Sequence, residues 1–317
     1  VDALSALLGL IRLQGAVFLS GEFTAPWSVV TPEGADACRM LMPTAEHLIL
    51  FHLVVEGRCE VIIADAPPQR VQAYQAVILP RGTPHRLASQ AALAGRRISE
   101  LMQAEACGDR LHVVRHGGGG EACRIQCGFL SCDPRMAAPL LDSLPDLLVV
   151  SLDADGGLPW LAPMLEYAVS DAASPRPGAG AVLARLSELM FVEAVRRHLE
   201  SLPPDRSGWL AGLRDRVLAR ALTVLHQDPG RDWTVAMLAT EVGASRSVIN
   251  QRFADFLGRA PMDYLTQWRM QVAAQRLRDS RDSVAQIADA VGYRSVAAFS
   301  RAFKRAFDTP PARWRRG

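Results

Sequence analysis

The side chains able to do chemistry fall into two groups, set apart along the 317 residues. The first is a set of thiols and imidazoles: all six cysteines (Cys38, Cys59, Cys107, Cys123, Cys127, Cys132), together with His52 and His85, precede residue 135. Thiolates and imidazoles bind zinc tetrahedrally, and a thiol of lowered pKa reacts with oxidants and electrophiles. If residues 122–130 form a strand, Cys123, Ile125, Cys127 and Phe129 share one face. Cys127 and Cys132, with His52 or His85, are then candidates for a metal or redox sensor. The competing reading is that buried cysteines act as small hydrophobes. His85 also has two readings, as part of such a sensor or as an imidazole locked by hydrogen bonds to the turn before it. His112 and His116 lie beside a run of four glycines, Gly117 to Gly120, and are expected to be solvated.

The second group is polar and basic, near the C-terminus. Arg246, Ser247, Asn250 and Gln251 fall on the outward side of one short amphipathic segment. Arg294, Val296, Ala297, Ser300, Arg301 and Lys304 do so on another, which Ser295 caps. Arginine can read guanine with two hydrogen bonds, and Asn or Gln can read adenine. Serine, lysine and the remaining arginines more often hold phosphates.

These side chains need elements to hold them. Residues 10–155 read as strands and turns. Ile49 to Val55, a Glu56-Gly57 turn and Cys59 to Ala64 make a hairpin; Val77 to Leu79 is a strand ended by Pro80-Arg-Gly-Thr-Pro-His85; Ile125 to Leu130 is another strand. From Pro159 the period becomes helical, with Leu183, Leu186, Met190, Val195 and Leu199 near 3.6 spacing after a loop at 173–180. Leu202-Pro203-Pro204 stops that helix. A linker at 201–208 follows, and the rest is helical.

The last third contains an internal repeat. Thr234, Val235, Leu238, Ala239, Val242 and Gly243 recur 49 residues later as Ser283, Val284, Ile287, Ala288, Val291 and Gly292. Ser245, Ile249 and Phe253 recur 50 residues later as Ser295, Phe299 and Phe303. In each copy a hydroxyl residue caps a short helix, a glycine permits a sharp turn, and a serine caps a second helix. That is a helix-turn-helix, present twice. Val248, Ile249, Phe253 and Phe256 are the expected core face of the first recognition helix. Leu265, Trp268, Val272, Ala273 and Leu277 line a connecting helix over 261–278, which would hold the two recognition helices apart. A separation of roughly 34 Å, one DNA turn, would let both enter successive major grooves.

Charge supports this division. The net charge of +2 is the sum of −7 over residues 1–205 and +9 over 206–317. A basic block beside an acidic body points to a nucleic-acid domain joined to something else. Hydrophobic content of 49% is enough for packed cores and excludes wholesale disorder. With no apolar run of transmembrane length and no secretion-signal pattern, a cytoplasmic protein with no membrane partner is expected, in which the cysteines are not a disulfide framework.

The stretches "WTVAMLATEVGASRSVINQRF", "GRAPMDYLTQWRMQVAAQRLR" and "SVAQIADAVGYRSVAAFSRAFKRAFDTPPARWR" resemble the AraC-type DNA-binding domain over 209–316. The resemblance places Ser247, Asn250, Gln251, Ser300 and Arg301 where the family contacts DNA. Ser247 stands where some relatives carry a larger side chain. "FHLVVEG", "ILPRGTPHRL" and "CGFLSCDPRMAAPLLDSLPDLL" resemble the cupin-like sensor half of a subgroup of the same regulators. The expected fold is therefore α+β: a cupin-like β-barrel at 1–155, a helical linker or dimerisation region at 156–203, and an all-α domain with two helix-turn-helix units. The implied function is sequence-specific regulation of transcription in response to a small-molecule or redox signal. The partners would be promoter DNA, a second copy of the chain, and RNA polymerase if the protein is an activator. A metal-dependent cupin enzyme fused to a DNA-binding domain is the alternative. A catalytic cupin usually carries H-x-H and a following Glu; here His47 and His52 are five apart, on opposite strand faces, so no catalytic residue and no required cofactor is expected, with zinc or a small-molecule effector the ligand the barrel would take.

Overall fold

The computed structural model describes every residue except 33, 65, 104–111, 153–159, 173–176, 204 and 317. Cys107, Pro159, Pro204 and part of the loop expected at 173–180 therefore lie outside the described residues. In chain order the first elements are α1 (Ala3–Ile11), β1 (Gln14–Thr24), β2 (Ser28–Val30), α2 (Gly34–Leu41), β3 (His47–Glu56), β4 (Arg58–Ile63), β5 (Gln69–Gln72), β6 (Gln75–Leu79), β7 (His85–Ala88) and β8 (Arg96–Arg97). They are followed by α3 (Ile98–Gln103), β9 (His112–Gly117), β10 (Ala122–Cys132), α4 (Pro134–Leu141), β11 (Leu148–Ser151), α5 (Leu161–Ala172) and α6 (Ala179–Ser201). The remainder is helical: α7 (Trp209–Gly212), α8 (Arg216–Gln227), α9 (Val235–Val242), α10 (Arg246–Leu257), α11 (Pro261–Asp279), α12 (Val284–Ala290), α13 (Val296–Phe307) and α14 (Pro311–Trp314). No helix among the described residues is long and apolar enough to cross a membrane.

The chain forms two compact units, one of residues 13–134 with 144–201 and one of residues 1–12, 135–143 and 202–317. This differs from a boundary at 155. Helix α1 buries Ala3, Leu7, Leu10 and Ile11, and α4 buries Met136, Ala137, Leu140 and Leu141, both within the helical unit. Helices α5 and α6, read from sequence as a separate linker, belong to the sheet unit.

In the sheet unit, a six-stranded sheet of order β11-β6-β3-β10-β1-β9 and a five-stranded sheet of order β5-β4-β7-β2-β8 share one core. Leu48, Leu50 and Val54 of β3 face that core with Cys123, Ile125, Cys127 and Phe129 of β10. The opposite face of β3 is buried as well, with Ile49, Phe51 and Leu53 each at most 2% exposed. That is why the segment reads as a continuous apolar run instead of an alternating one. Helix α6 packs on β1 and β10 outside the core. Gly15 permits this approach, since a Cβ there would sit 2.9 Å from the Ala184 carbonyl oxygen. Gly128 pairs with Phe51 in the register and receives its ring. A Cβ at 128 would lie 2.1 Å from Phe51 Cζ and 2.6 Å from the Ala16 carbonyl oxygen.

In the helical unit, α8 shows the spacing that makes a buried stripe: Leu218, Ala221, Leu222, Leu225 and His226. Helix α11 is buried more widely than its expected stripe, because α10, α12, α13, α14 and α1 all pack on it. Tyr264, Leu265, Trp268, Met270, Gln271, Ala273, Ala274 and Leu277 are all buried, while Val272 is half-buried. Each large apolar side chain removed from water there contributes about 1.5–3 kcal/mol. Several of the buried polar groups are paired. Trp314 Nε1 donates to the Ala274 carbonyl at 3.1 Å, and Trp209 Nε1 to Tyr264 Oη at 3.0 Å. Tyr264 Oη in turn contacts His226 Nε2 at 2.7 Å, and the His226 ring stacks on Trp268 at 3.5 Å. Burial keeps the imidazole neutral.

Two consequences can be measured. Gly128→Ala is expected to destabilise the sheet unit by about 1–3 kcal/mol, through overpacking against Phe51 and a backbone oxygen; urea unfolding followed by near-ultraviolet circular dichroism reads this, and an unchanged midpoint contradicts the packing. Burial lowers the His226 pKa from 6.5 to about 3. The unfolded chain binds this proton and the folded chain does not, so stability is complete above the unfolded value and declines as pH falls through the window below 6.5. The slope is at most about 1.4 kcal/mol per pH unit. His226→Gln should flatten the decline of the helical unit's urea midpoint between about pH 6.5 and 5; equal slopes in the two proteins contradict a neutral, buried imidazole.

Candidate nucleic-acid interface and barrel interior

Each half of the sequence repeat becomes two helices joined by a turn. In the first, Thr234 Oγ1 accepts from Met237 N and starts α9. Gly243 ends it at φ 72°, a left-handed conformation that glycine adopts without Cβ strain. Ser245 Oγ accepts from Val248 N at 3.2 Å and starts α10. In the second, Ser283 and Gln286 form a reciprocal capping box on α12. Gly292 turns the chain at φ 80°, and Ser295 caps α13. The buried pairs Ile249/Phe253 and Phe299/Phe303 occupy corresponding positions.

The remaining faces of α10 and α13 are open. Arg246, Ser247, Asn250 and Gln251 are exposed, as are Ala297, Arg301 and Lys304, while Ser300 is half-buried. Some of these groups have internal partners: Gln251 Nε2 donates to Asp255 Oδ1 at 2.6 Å, and Ser247 Oγ lies 2.8 Å from Ser245 Oγ. Arg294 sits in the turn ahead of α13, ion-paired with Asp232. Ser295 commits its hydroxyl to the cap. Arg301 and Lys304 make no ion pair among the described residues. Val248, expected in the core, is instead 38% exposed, and Val296 of α13 is 43% exposed. The i, i+4 pair Ile249/Phe253 already fills the buried stripe, and Val248 lies one residue round the helix from it. Superposing the repeat gives the signal that was available: Val248 corresponds to Ala298, not to a large apolar residue. On an open helix face, an apolar methyl can contact the thymine 5-methyl group.

The second candidate lies inside the sheet unit. His52 and Cys127 are direct cross-strand neighbours on β3 and β10, on the face turned to the core. His52 Nδ1 is 2.9 Å from Cys127 Sγ. His85 starts β7 in the other sheet, and its Nε2 meets His52 Nε2 at 2.6 Å. Beyond it, His85 Nδ1 lies 2.8 Å from the Thr83 carbonyl oxygen and 2.9 Å from Thr31 Oγ1. The proton order follows from the last link. A carbonyl can only accept, so His85 Nδ1 carries the proton and His85 Nε2 accepts. His52 Nε2–H then donates to it, leaving His52 Nδ1 to accept from the Cys127 thiol. Burial and the neighbouring imidazole hold the His52 pKa well below its ordinary value, and burial lowers His85 to about 4. Burial pushes the Cys127 thiol upward. All three groups are therefore neutral.

Cys132 does not join this cluster. It pairs with His47 in the β10–β3 register, five residues beyond Cys127 and hence on the other face. Burial, then the Asp133 charge, raises its thiol to about 12. Among the described residues, no three His, Cys, Asp or Glu side chains converge to hold a metal ion. The glycine run does form a loop tip, and His116 beside it is half-buried. Sequence reasoning missed Thr31. It lies 54 residues from His85 and meets it only through the β2–β7 pairing, so no local signal exists.

His52 and Cys127 line a narrow cavity of about 30 Å³. Its other walls include Phe18, Leu19, Phe23, Leu41, Leu50 and Ile98. In the wall His52 and Cys127 are bonded to each other and Thr31 is bonded to His85, so among the described residues the cavity offers no free donor for a sugar or an ion.

Residues 2–200 match the cupin family model, and residues 238–317 a helix-turn-helix domain model. An AraC-like transcription regulator of Streptomyces lividans is 41% identical over 64% of this chain and 66% of its own length. The HTH-type transcriptional regulator AlkR of Acinetobacter baylyi is 29% identical over 99% of both chains. Among solved structures, an AraC-type regulator from Chromobacterium violaceum is 27% identical, over 33% of this chain and 93% of that one, with a TM-score of 0.32. The paired helix-turn-helix units on a cupin-bearing chain, with these relatives, mean that the protein belongs to the AraC-type family of DNA-binding transcription regulators, in the branch with a cupin N-terminal domain.

Proposed function

We propose that the protein is a one-component regulator, in which the barrel takes up a small, weakly polar signal and the two helix-turn-helix units bind an operator. The observation that carries this reading is the duplicated unit with matched caps and cores and two open faces bearing Asn250, Gln251, Arg301 and Lys304. Gln251 and Asn250 would read adenine and Arg301 guanine, with Lys304 and Arg246 on phosphates. The −7 of residues 1–205 keeps the barrel's own residues from competing for the phosphate backbone, and the +9 of residues 206–317 supplies counterion release. The apolar cavity wall favours a signal that makes few hydrogen bonds.

A homodimer fits the surface of the sheet unit. Met164 and Tyr167 of α5 and Val182 and Leu189 of α6 are 41–61% exposed, an apolar set that a second copy would cover. A dimer presents four recognition helices, suited to a pair of repeated half-sites. Transmission has a covalent route. Strand β10 carries Cys127 at its middle and continues through Cys132 into α4, whose residues belong to the helical unit. A signal that displaces β10 thereby biases the DNA-competent arrangement.

Genome-wide mapping of binding sites gives the operator on which the contacts are tested. Arg301→Ala is expected to weaken operator binding by about 1–3 kcal/mol, roughly 5- to 150-fold, and to relax preference at one base pair. Lys304→Ala should weaken all duplexes alike and reduce the salt slope by about 1. Unchanged operator affinity in Arg301→Ala, measured by fluorescence anisotropy at fixed salt, removes that residue from the reading face.

A further inference from the structure

We propose that Cys127 is a covalent capture site for a small, apolar, carbonyl-conjugated alkene, with His52 as the base. The proposal rests on the reading of the barrel as the signal-receiving unit and names the chemistry of the signal.

Three observations converge. Among the described cysteines, Cys127 is the one whose sulfur is hydrogen-bonded to an imidazole. The Thr83 carbonyl fixes the proton order of the whole chain, so that His52 Nδ1 presents a lone pair to the thiol proton. Cys127 and His52 both border the cavity, whose other walls are apolar apart from Thr31, its hydroxyl bonded to His85. Such a wall admits an uncharged electrophile and excludes ionic ones. At rest the thiol is neutral, and burial keeps it so, which protects it from unselective alkylation.

The addition conserves every atom. The sulfur electron pair forms a bond to the alkene carbon remote from the carbonyl, and the carbon–carbon π electrons move toward the carbonyl as an enolate. The thiol proton passes to His52 Nδ1, leaving His52 protonated at both nitrogens with its Nε2–H still bonded to His85 Nε2. The Nδ1 proton then goes to the carbon next to the carbonyl. The product is a neutral thioether and a neutral imidazole, with no leaving group and no oxidant. Oxidation to a disulfide along the same strand is disfavoured, because Cys123 is four residues back, about 13 Å in an extended strand, and beyond disulfide reach. The adduct must also displace the wall of a cavity of about 30 Å³, on the strand that leads into α4.

The test uses the full chain with methyl vinyl ketone as the probe, and iodoacetate as the charged comparison, followed by intact mass and peptide mapping. The expected result is a single ketone adduct on Cys127, formed at least tenfold faster than on Cys59, Cys123 or Cys132, with iodoacetate sparing Cys127. His52→Gln should slow the Cys127 reaction by tenfold or more, while both proteins react equally once unfolded in urea. Because the base takes the proton from a neutral thiol, the wild-type rate should be flat from about pH 7 to 9, whereas reaction through a free thiolate climbs about tenfold per unit. That profile keeps the idea testable if the His52 variant does not fold. Absence of an adduct at Cys127, an unchanged rate in His52→Gln, or a tenfold climb per pH unit overturns the proposal. So does oxidation of Cys127 by hydrogen peroxide with no reaction toward the ketone. Operator binding by unreacted protein is measured alongside: retained binding without an adduct sinks the capture chemistry alone, while failure to bind any operator sinks the regulator reading.

Discussion

The burial of α11 is the constraint on which the helical unit depends. A helix that packs against α10 on one side and α12, α13 and α14 on others has little freedom to rotate or slide. Its Trp268 supports the His226 ring, its Tyr264 accepts from Trp209, and its Ala274 carbonyl receives Trp314. Two recognition helices held on one such helix keep a fixed relation to each other. This turns two weak, four-residue reading faces into one longer pattern that DNA must match.

The barrel depends on a different constraint, the pairing of His52 with Cys127 across β3 and β10. A buried imidazole without partners would cost several kcal/mol in an apolar core. Here each polar atom hands its proton to the next and the chain ends on a backbone carbonyl, so three titratable groups stay neutral inside an apolar wall. On the proposed reading, a ligand entering this interior would meet apolar surface, a thiol and few polar groups.

The helix-turn-helix repeat was the most legible part of the sequence, since caps, glycine turns and buried pairs are all local signals. Thr234, Ser245, Ser283 and Ser295 cap helices as their spacing implies, and Gly243 and Gly292 take positive φ. What failed was finer. Val248 was assigned to the core by hydrophobicity alone, although the i, i+4 pair beside it already filled the stripe. In the barrel, strand alternation correctly grouped Cys123, Ile125, Cys127 and Phe129 on the core face. It did not bring Cys132 to the imidazoles, because an odd spacing changes face. Thr31, and the assignment of α1 and α4 to the helical unit, rest on contacts between distant segments that no local pattern encodes.

A polar, basic pair of helices can hold any duplex by its phosphates, so affinity alone does not separate a regulator from a general DNA binder. The decisive quantity is the ratio of affinities for a duplex selected from a random pool and an unrelated duplex of equal length, both at one salt concentration. Two rigidly spaced reading helices should give a ratio of about 10³ or more. A ratio near one would contradict sequence-specific recognition by the duplicated unit.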